Sequence, residues 1–251
     1  MLLTIIIPAF NEAERIGGTI EQIRRFFRAA KINYEILVID DGSIDKTAAV
    51  VRQLAEKSPN IKLISHHCNL GKGAAVRTGV KAAKGDYILF TDADLSVPIR
   101  YFDQLWGPIT EGHDISVASR EKHGAKVLQS QGFPRELLGK SFGTLSKFLL
   151  AYGVADPQCG FKLFKTSIGK KAFAKVKTNS VLFDLEFLLL AHRAGAKIAE
   201  VPADWTHNPD TRIKYNLSKS LAIFRELLRI RRLYHIILPE HITTNGKTNR
   251  E

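Results

Sequence analysis

Two carboxylates one residue apart, Asp92 and Asp94 in Thr91-Asp92-Ala93-Asp94, carry the clearest chemistry in this sequence. They close the run Asp86-Tyr87-Ile88-Leu89-Phe90-Thr91, which reads as a strand with almost no polar interruption. Acids so close crowd negative charge, which a hard divalent cation or a diphosphate-bound metal would share. A strand-end turn with solvated acids is the alternative, and for an isolated D-x-D triplet it is the commoner outcome. Three further polar clusters argue against it here. Pro8-Ala9-Phe10-Asn11-Glu12 follows Ile5-Ile6-Ile7, Asp40-Asp41-Gly42-Ser43 follows Val38-Ile39, and Asn69-Leu70-Gly71-Lys72-Gly73 follows a third apolar run. Any one could be turn chemistry. Four strand ends in register would line one edge of a sheet, where α/β folds collect ligands.

Gly71-Lys72-Gly73 opening a helix could offer backbone N–H groups to a phosphate, with Lys72 as counter-charge. It is not a P-loop, because G-x-x-x-x-G-K-[ST] is absent, and no G-x-G-x-x-G follows the first strand. His66, His67 and His207 lack metal-ligand spacing and read as loop or surface residues. Cys159 reads as a small buried packing residue.

The elements that must position these groups alternate cleanly. Strands are expected at Thr4–Ile7, Glu35–Ile39, Ile61–Ser65, Tyr87–Thr91 and Ile115–Ala118. Helices are expected near Glu12–Ala29, Lys46–Glu56 and Gly71–Ala83, with another after Pro98. The pattern implies right-handed crossovers and a mostly parallel sheet covered on both faces. The second half is less regular: helical spacing marks Glu136–Ala151, Leu182–His192 and Leu217–Leu233. The polar tail after Pro239 reads as disordered.

Composition bounds the setting. The chain has 251 residues and can bury a sizeable core. Two cysteines are too few for a disulfide framework, which fits a reducing compartment. No signal peptide is expected at the N-terminus, and no run reaches the ~18 apolar residues needed to span a bilayer. Net charge is +12, which favours a polyanionic partner: nucleic acid, an anionic membrane surface or phosphorylated ligands. Seven basic residues between Arg212 and Arg232 face a single acid, Glu226.

The four strand-end motifs together resemble inverting family 2 glycosyltransferases of the GT-A fold. Asp156-Pro157-Gln158-Cys159-Gly160-Phe161-Lys162-Leu163-Phe164 and Phe183-Asp184-Leu185-Glu186 narrow the likeness. They are similar to the dolichyl-phosphate β-glucosyltransferases, with the dolichyl-phosphate mannose synthases as relatives. The resemblance implies an α/β, Rossmann-like, mostly parallel sheet flanked by helices, with C-terminal amphipathic helices. It implies one domain over residues 1–235, with a nucleotide-sugar half (1–120) and an acceptor half (121–235), and residues 239–251 as a tail. By position, Pro8, Ala9, Phe10, Asn11, Glu12, Ile39, Asp41, Lys72, Asp92, Ala93 and Asp94 would hold the donor. Asp92 and Asp94 would hold Mg²⁺ or Mn²⁺. Asp94, Asp184 and Glu186 would form the catalytic set, and Arg120, Arg135, Gln158 and Arg212 would meet phosphate or acceptor. Around Arg212 the sequence departs from the family's usual Gly-Ser-Lys ending.

The implied reaction moves a hexose from a nucleotide sugar, UDP-glucose foremost, to a dolichyl or polyprenyl phosphate. A metal-bound leaving diphosphate would be stabilised electrostatically. The acceptor is a phosphate monoester whose second pKa is ~6, already a dianion at neutral pH. No strong base is then needed, so Asp184 and Glu186 are expected to organise the site. Arg135 and Lys140 beside the Leu137–Leu149 stripe, and Arg225–Arg232 among apolar residues, suit an anionic bilayer surface. These stripes could equally pack on the sheet with their charges solvated. The expected location is the cytosolic membrane face, reached peripherally or through a partner. Another donor (GDP-mannose, UDP-GlcNAc) or a soluble or polysaccharide acceptor remains open. A non-catalytic nucleotide- or nucleic-acid-binding module is disfavoured, because the basic run lacks interleaved aromatic platforms and the acidic pairs would repel a nucleic-acid backbone.

Overall fold

The apolar runs near the N-terminus become parallel strands because both of their faces are covered. The computed structural model describes residues 1–122, 127–129, 153–206 and 217–235. In its first half β1 (Leu2–Ala9), β2 (Asn33–Asp40), β3 (Ile61–Ser65) and β4 (Tyr87–Thr91) alternate with α1 (Ile16–Ala29), α2 (Thr47–Glu56) and α3 (Lys72–Ala82). β1 pairs in parallel with β2 and β4, and β2 with β3. All four carboxyl ends therefore share one sheet edge.

Side chains of β1 alternate between two cores. Leu3, Ile5 and Ile7 join Ile16, Ile20, Ile23 and Phe27 of α1 on one face. Ile6 meets Ala75, Val76 and Val80 of α3 on the other. At Gly79 an added Cβ would come within 2.6 Å of the Ile6 side chain, so α3 lies close on the sheet.

The remaining strands complete a seven-stranded sheet of order β3-β2-β1-β4-β7-β5-β8. After α4 (Phe102–Thr110) come β5 (Ile115–Ser119), then β6 (Val127–Gln129), then β7 (Phe161–Lys165), α5 (Thr166–Phe173), α6 (Phe183–Arg193) and β8 (Ile198–Pro202). β6 pairs with β9 (Trp205–Thr206) in a separate ribbon, and α7 (Leu217–Leu233) follows. β7 runs antiparallel between β4 and β5, and its register sets Lys162 opposite Phe90. Sequence periodicity does not reveal β7, α5 or β8. Strand β7 is only five residues long and carries lysines at Lys162 and Lys165, which blur an apolar run.

Helix α1 begins at Ile16, four residues later than its apolar spacing suggests, because Glu12–Arg15 forms a turn: the Glu12 carbonyl accepts from the Arg15 and Ile16 amides. The helix expected over 136–151, with Arg135 and Lys140 beside it, lies outside the described residues, as do His207, Arg212 and the tail 239–251.

Candidate active site

The four strand-end loops are clasped to one another in sequence. Asn11, held at φ 57°, donates its amide to Ser43 Oγ (2.9 Å), while its Oδ1 accepts from the Ile44 amide (2.9 Å). The Glu12 amide donates to Thr47 Oγ1 (2.8 Å). The first loop is thereby fixed to the second. Asp41, buried, fixes the second to the third: its Oδ1 accepts from the Leu70 amide (3.0 Å) and its Oδ2 from Gly71 (2.8 Å). His66 Nδ1 lies 2.7 Å from the same Oδ1, and its Nε2 2.9 Å from Thr78 Oγ1. The third loop meets the fourth where Lys72 Nζ reaches Asp92 Oδ1 at 2.6 Å. The Ala93 carbonyl accepts from Thr19 Oγ1 (2.6 Å), returning the chain of contacts to α1.

Backbone geometry at this edge needs particular residues. Gly42 (φ 72°) and Gly71 (φ 98°) occupy the left-handed region, and a Cβ at either would collide with backbone, of Cys68–Asn69 and of Asn179 respectively. Leu95, immediately after the acids, is held at φ 47°, a conformation costly for a branched side chain. The Asp94 Oδ1 accepts from the Ser96 amide (3.0 Å) and closes that turn.

Below the edge, on β7, lies a second lysine–aspartate pair. Lys162 Nζ meets Asp184 Oδ1 at 2.6 Å and donates to the Cys159 carbonyl (2.6 Å), with both side chains almost wholly buried. Lys72 and Lys162 both sit over the Phe90 ring, at 5.4 and 5.6 Å. Burial works against the Lys72 ammonium, but the charges of Asp92, Asp184 and Asp94 outweigh it and raise its pKa. Burial pushes the Asp184 carboxyl up, against the opposing pull of Lys162 and Lys72. Burial also pushes the Cys159 thiol up to about 12, so it stays a protonated packing group.

The model of glycosyl transferase family 2 matches residues 4–173. The chain belongs to glycosyl transferase family 2. It is similar to the dolichyl-phosphate β-glucosyltransferase of Dictyostelium discoideum, 31% identical over 244 residues, covering 92% of this chain and 74% of that one. The human protein of the same name is 30% identical over 217 residues, covering 81% and 67%. Among solved structures, glucosyl-3-phosphoglycerate synthase from Mycobacterium tuberculosis, in complex with Mn²⁺, UDP-glucose and phosphoglyceric acid, aligns with a TM-score of 0.64. At 19% identity, covering 96% of this chain and 81% of that one, it shows the shared α/β, GT-A type fold.

In this family 2 glycosyltransferase the expected site residues divide by what they touch. Lys72, Asp92, Asp94 and Asp184 come together at the sheet edge around the carboxyl end of β4. Pro8 near the end of β1, and Phe10, Asn11 and Glu12 on the loop that follows, are partly exposed. Ile39 is fully buried in the core, and Ala9 and Ala93 are also buried, so their side chains shape the floor from beneath. Asp41 spends its carboxylate on the Leu70–Gly71 backbone and His66, so its immediate task is to hold the third loop. The Gly71 and Gly73 amides are likewise committed, to Asp41 and to the Asn179 carbonyl (2.8 Å), which leaves the Lys72 side chain as the polar group of this loop turned to the acids.

Glu186 faces away from the acids. Its carboxylate accepts from the Lys177 and Thr178 amides and from Tyr234 Oη (2.6 Å), latching the 175–180 loop to α6 and to the residue that follows α7. The Glu186 carboxylate is fully engaged in this buried latch. Arg120 is gripped by Asp156: its Nε and Nη2 donate to the two carboxylate oxygens at 2.7 Å each, and its guanidinium lies 5.5 Å from the Trp205 ring. Gln158 is partly buried beside this grip. Arg135 and Arg212 lie outside the described residues.

Lys162 and Asp156 belong to the site and carried no role in the sequence reading. A lysine flanked by Phe161, Leu163 and Phe164 is the available signal, since such a residue is buried only with a partner. Among the described residues no group of three His, Cys, Asp or Glu is placed to hold a metal ion. Asp92 and Asp94 alone fit a hard cation of the Mg²⁺ or Mn²⁺ type that brings further oxygen ligands from a bound diphosphate.

Proposed function

We propose that the protein transfers glucose from UDP-glucose to a dolichyl or polyprenyl phosphate with inversion, giving a β-linked lipid-phosphate sugar. The observation that carries the reading is the continuous clasp of four loops ending in Lys72, Asp92 and Asp94, in a chain whose curated relatives are named dolichyl-phosphate β-glucosyltransferases. A divalent cation held by Asp92 and Asp94 would neutralise charge developing on the leaving diphosphate. Lys72 offers a second positive charge to the same diphosphate. The acceptor phosphate is already a dianion at neutral pH, so Asp184 has no proton to abstract. With Oδ1 on Lys162, Asp184 keeps the floor of the site in one arrangement.

The acceptor's lipid favours a peripheral position at the cytosolic face of a membrane. Among the described residues no helix is long and apolar enough to cross one. Helix α7 supplies a surface with the required chemistry. Leu227 and Ile230 anchor it to the core, and its Glu226 accepts from Ser180 Oγ (2.6 Å). Leu221 and Phe224 are exposed, and a groove of about 710 Å³ is lined by Arg225, Leu228, Arg229, Arg232, Leu233 and His235. Basic and apolar side chains on one face suit an anionic bilayer.

A panel of UDP- and GDP-sugars with a short polyprenyl phosphate, scored for lipid-linked product, tests the reading. UDP-glucose is expected to give the highest turnover. Product with no lipid phosphate under any donor would overturn the acceptor assignment.

A further inference from the structure

The carboxylate assigned to a cation is already occupied by an ammonium. Lys72 Nζ sits 2.6 Å from Asp92 Oδ1. The other oxygen, Oδ2, lies against Gly160, where an added Cβ would collide with it, so backbone closes one side of the carboxylate. A divalent ion binding the Asp92 carboxylate therefore lands beside the Lys72 ammonium, and must displace it or share the carboxylate at the cost of repulsion between two cations.

Lys72 is built to give it up. Its backbone is fixed at the start of α3 by the flanking Gly71 and Gly73, whose amides bond to Asp41 and Asn179. Among the described residues the ammonium touches Asp92 and the face of Phe90, with the charges of Asp184 and Asp94 acting from farther off, and the two side chains of the pair are 27% and 31% exposed. A four-carbon stem on a fixed Cα can swing without disturbing the helix. Lys162 cannot substitute for it, being bound to Asp184 and to the Cys159 carbonyl.

Charge balance gives the exchange a direction. Lys72 and Lys162 against Asp92, Asp94 and Asp184 leave one negative charge around Phe90. A divalent cation alone would turn that into a positive excess, with Lys72 displaced and without a partner. A divalent cation arriving with a diphosphate dianion leaves the total as it was, and gives the displaced ammonium an anion to meet.

We propose that Lys72 is the resident cation of the donor-free enzyme, holding Asp92 until metal and diphosphate bind together and then moving its ammonium to the diphosphate. This deepens the nucleotide-sugar reading above and rests on it. Metal and nucleotide are then bound with positive coupling, and Lys72 is one source of it, because it opposes the first without the second and favours both together.

The experiment is a pair of binding measurements on the full chain. Mn²⁺ binding without nucleotide is read from the free-ion electron paramagnetic resonance signal, and UDP binding at saturating Mn²⁺ by calorimetry. For Lys72→Met, Mn²⁺ alone should bind about fivefold tighter, the scale of a partly exposed ion pair. UDP with Mn²⁺ should bind about tenfold weaker, as expected for the loss of one charge-assisted contact. Lys72→Gln should move both in the same directions, which guards against a packing effect of the Met side chain. In an Asp92→Asn background, Lys72→Met should no longer change Mn²⁺ affinity. Unchanged or weaker Mn²⁺ binding in both Lys72 variants would overturn the resident-cation role. Unchanged UDP binding would overturn the transfer to diphosphate. If the wild-type chain binds no UDP with Mn²⁺, the nucleotide-sugar reading itself fails, an outcome distinct from either.

Discussion

Two lysine–aspartate pairs share one aromatic ring and one N–O distance, yet they do opposite work. Lys72–Asp92 and Lys162–Asp184 both close at 2.6 Å, and both ammoniums sit over Phe90. The first pair is 27% and 31% exposed, the second 1% and 3%. A pair that water reaches is held more weakly than a dry one, so water or a ligand can replace either partner. A buried pair has no such substitute, and removing one member strands a charge at low dielectric. Contact geometry alone would call them alike. Burial separates the pair that exchanges partners from the pair that fixes the floor.

Breaking the partly exposed pair from its acid side should give the largest effect. Asp92→Asn removes the group assigned to the cation, and kcat/KM for UDP-glucose is expected to fall about a thousandfold, the scale of losing an electrostatic contact to a leaving group. Denaturant unfolding should show little change, since Asp92 is partly solvated. A turnover within tenfold of wild type would remove Asp92 from the chemistry.

The buried pair should respond in the reverse way, in stability first. Lys162→Met leaves Asp184 without its counter-charge and is expected to cost about 3–5 kcal/mol of unfolding free energy. The double variant Lys162→Met/Asp184→Asn should recover most of that loss, because neither charge remains to be stranded. A double variant as unstable as the single one would show that Lys162 matters for packing and not for Asp184.

How much of this contrast is legible in the sequence depends on where each residue sits. Parallel strands β1–β4 declare themselves through unbroken apolar runs, and their shared edge follows from topology rules. Asp92, Asp94 and Lys72 are therefore placed together without coordinates. Lys162 is not, because its strand is short, antiparallel and lysine-bearing, and its partner Asp184 lies on a helix some twenty residues later in the chain. Nor does spacing reveal that Asp41 and Glu186 are spent on backbone amides. Those bonds arise from tertiary closure of the 66–71 and 175–180 loops. The family resemblance marks which positions matter, and the fold decides which of them face the site.

Asp184→Asn on its own separates positioning from proton abstraction. With a phosphate dianion as acceptor, turnover is expected to fall about tenfold, one positioning contact's worth, and the shape of its pH profile should persist. Collapse of turnover with a new, steep pH dependence would make Asp184 a base.

The smallest effect is one of slope, and it sets Asp184 against another buried carboxylate, Asp156. Burial raises the Asp156 carboxyl, but hydrogen bonds and charge from Arg120 outweigh this and hold it below the usual carboxylate range. A carboxyl whose folded pKa is depressed contributes stability that is present above its unfolded value, about 3.9, and is lost as pH falls through the folded value. Asp184 is raised by burial, so its contribution runs the other way: fully present below the unfolded value and lost as pH rises toward the folded one. Unfolding free energies measured from pH 3 to pH 7 for wild type, Asp156→Asn and Asp184→Asn resolve the two. The deficit of Asp156→Asn relative to wild type should widen as pH rises, while that of Asp184→Asn should narrow. Each substitution adds a constant offset from altered hydrogen bonding, so the sign of the slope carries the result. Parallel slopes for the two variants would mean that Lys162 holds Asp184 ionised as firmly as Arg120 holds Asp156, and that the buried lysine pair is a full ion pair across this range.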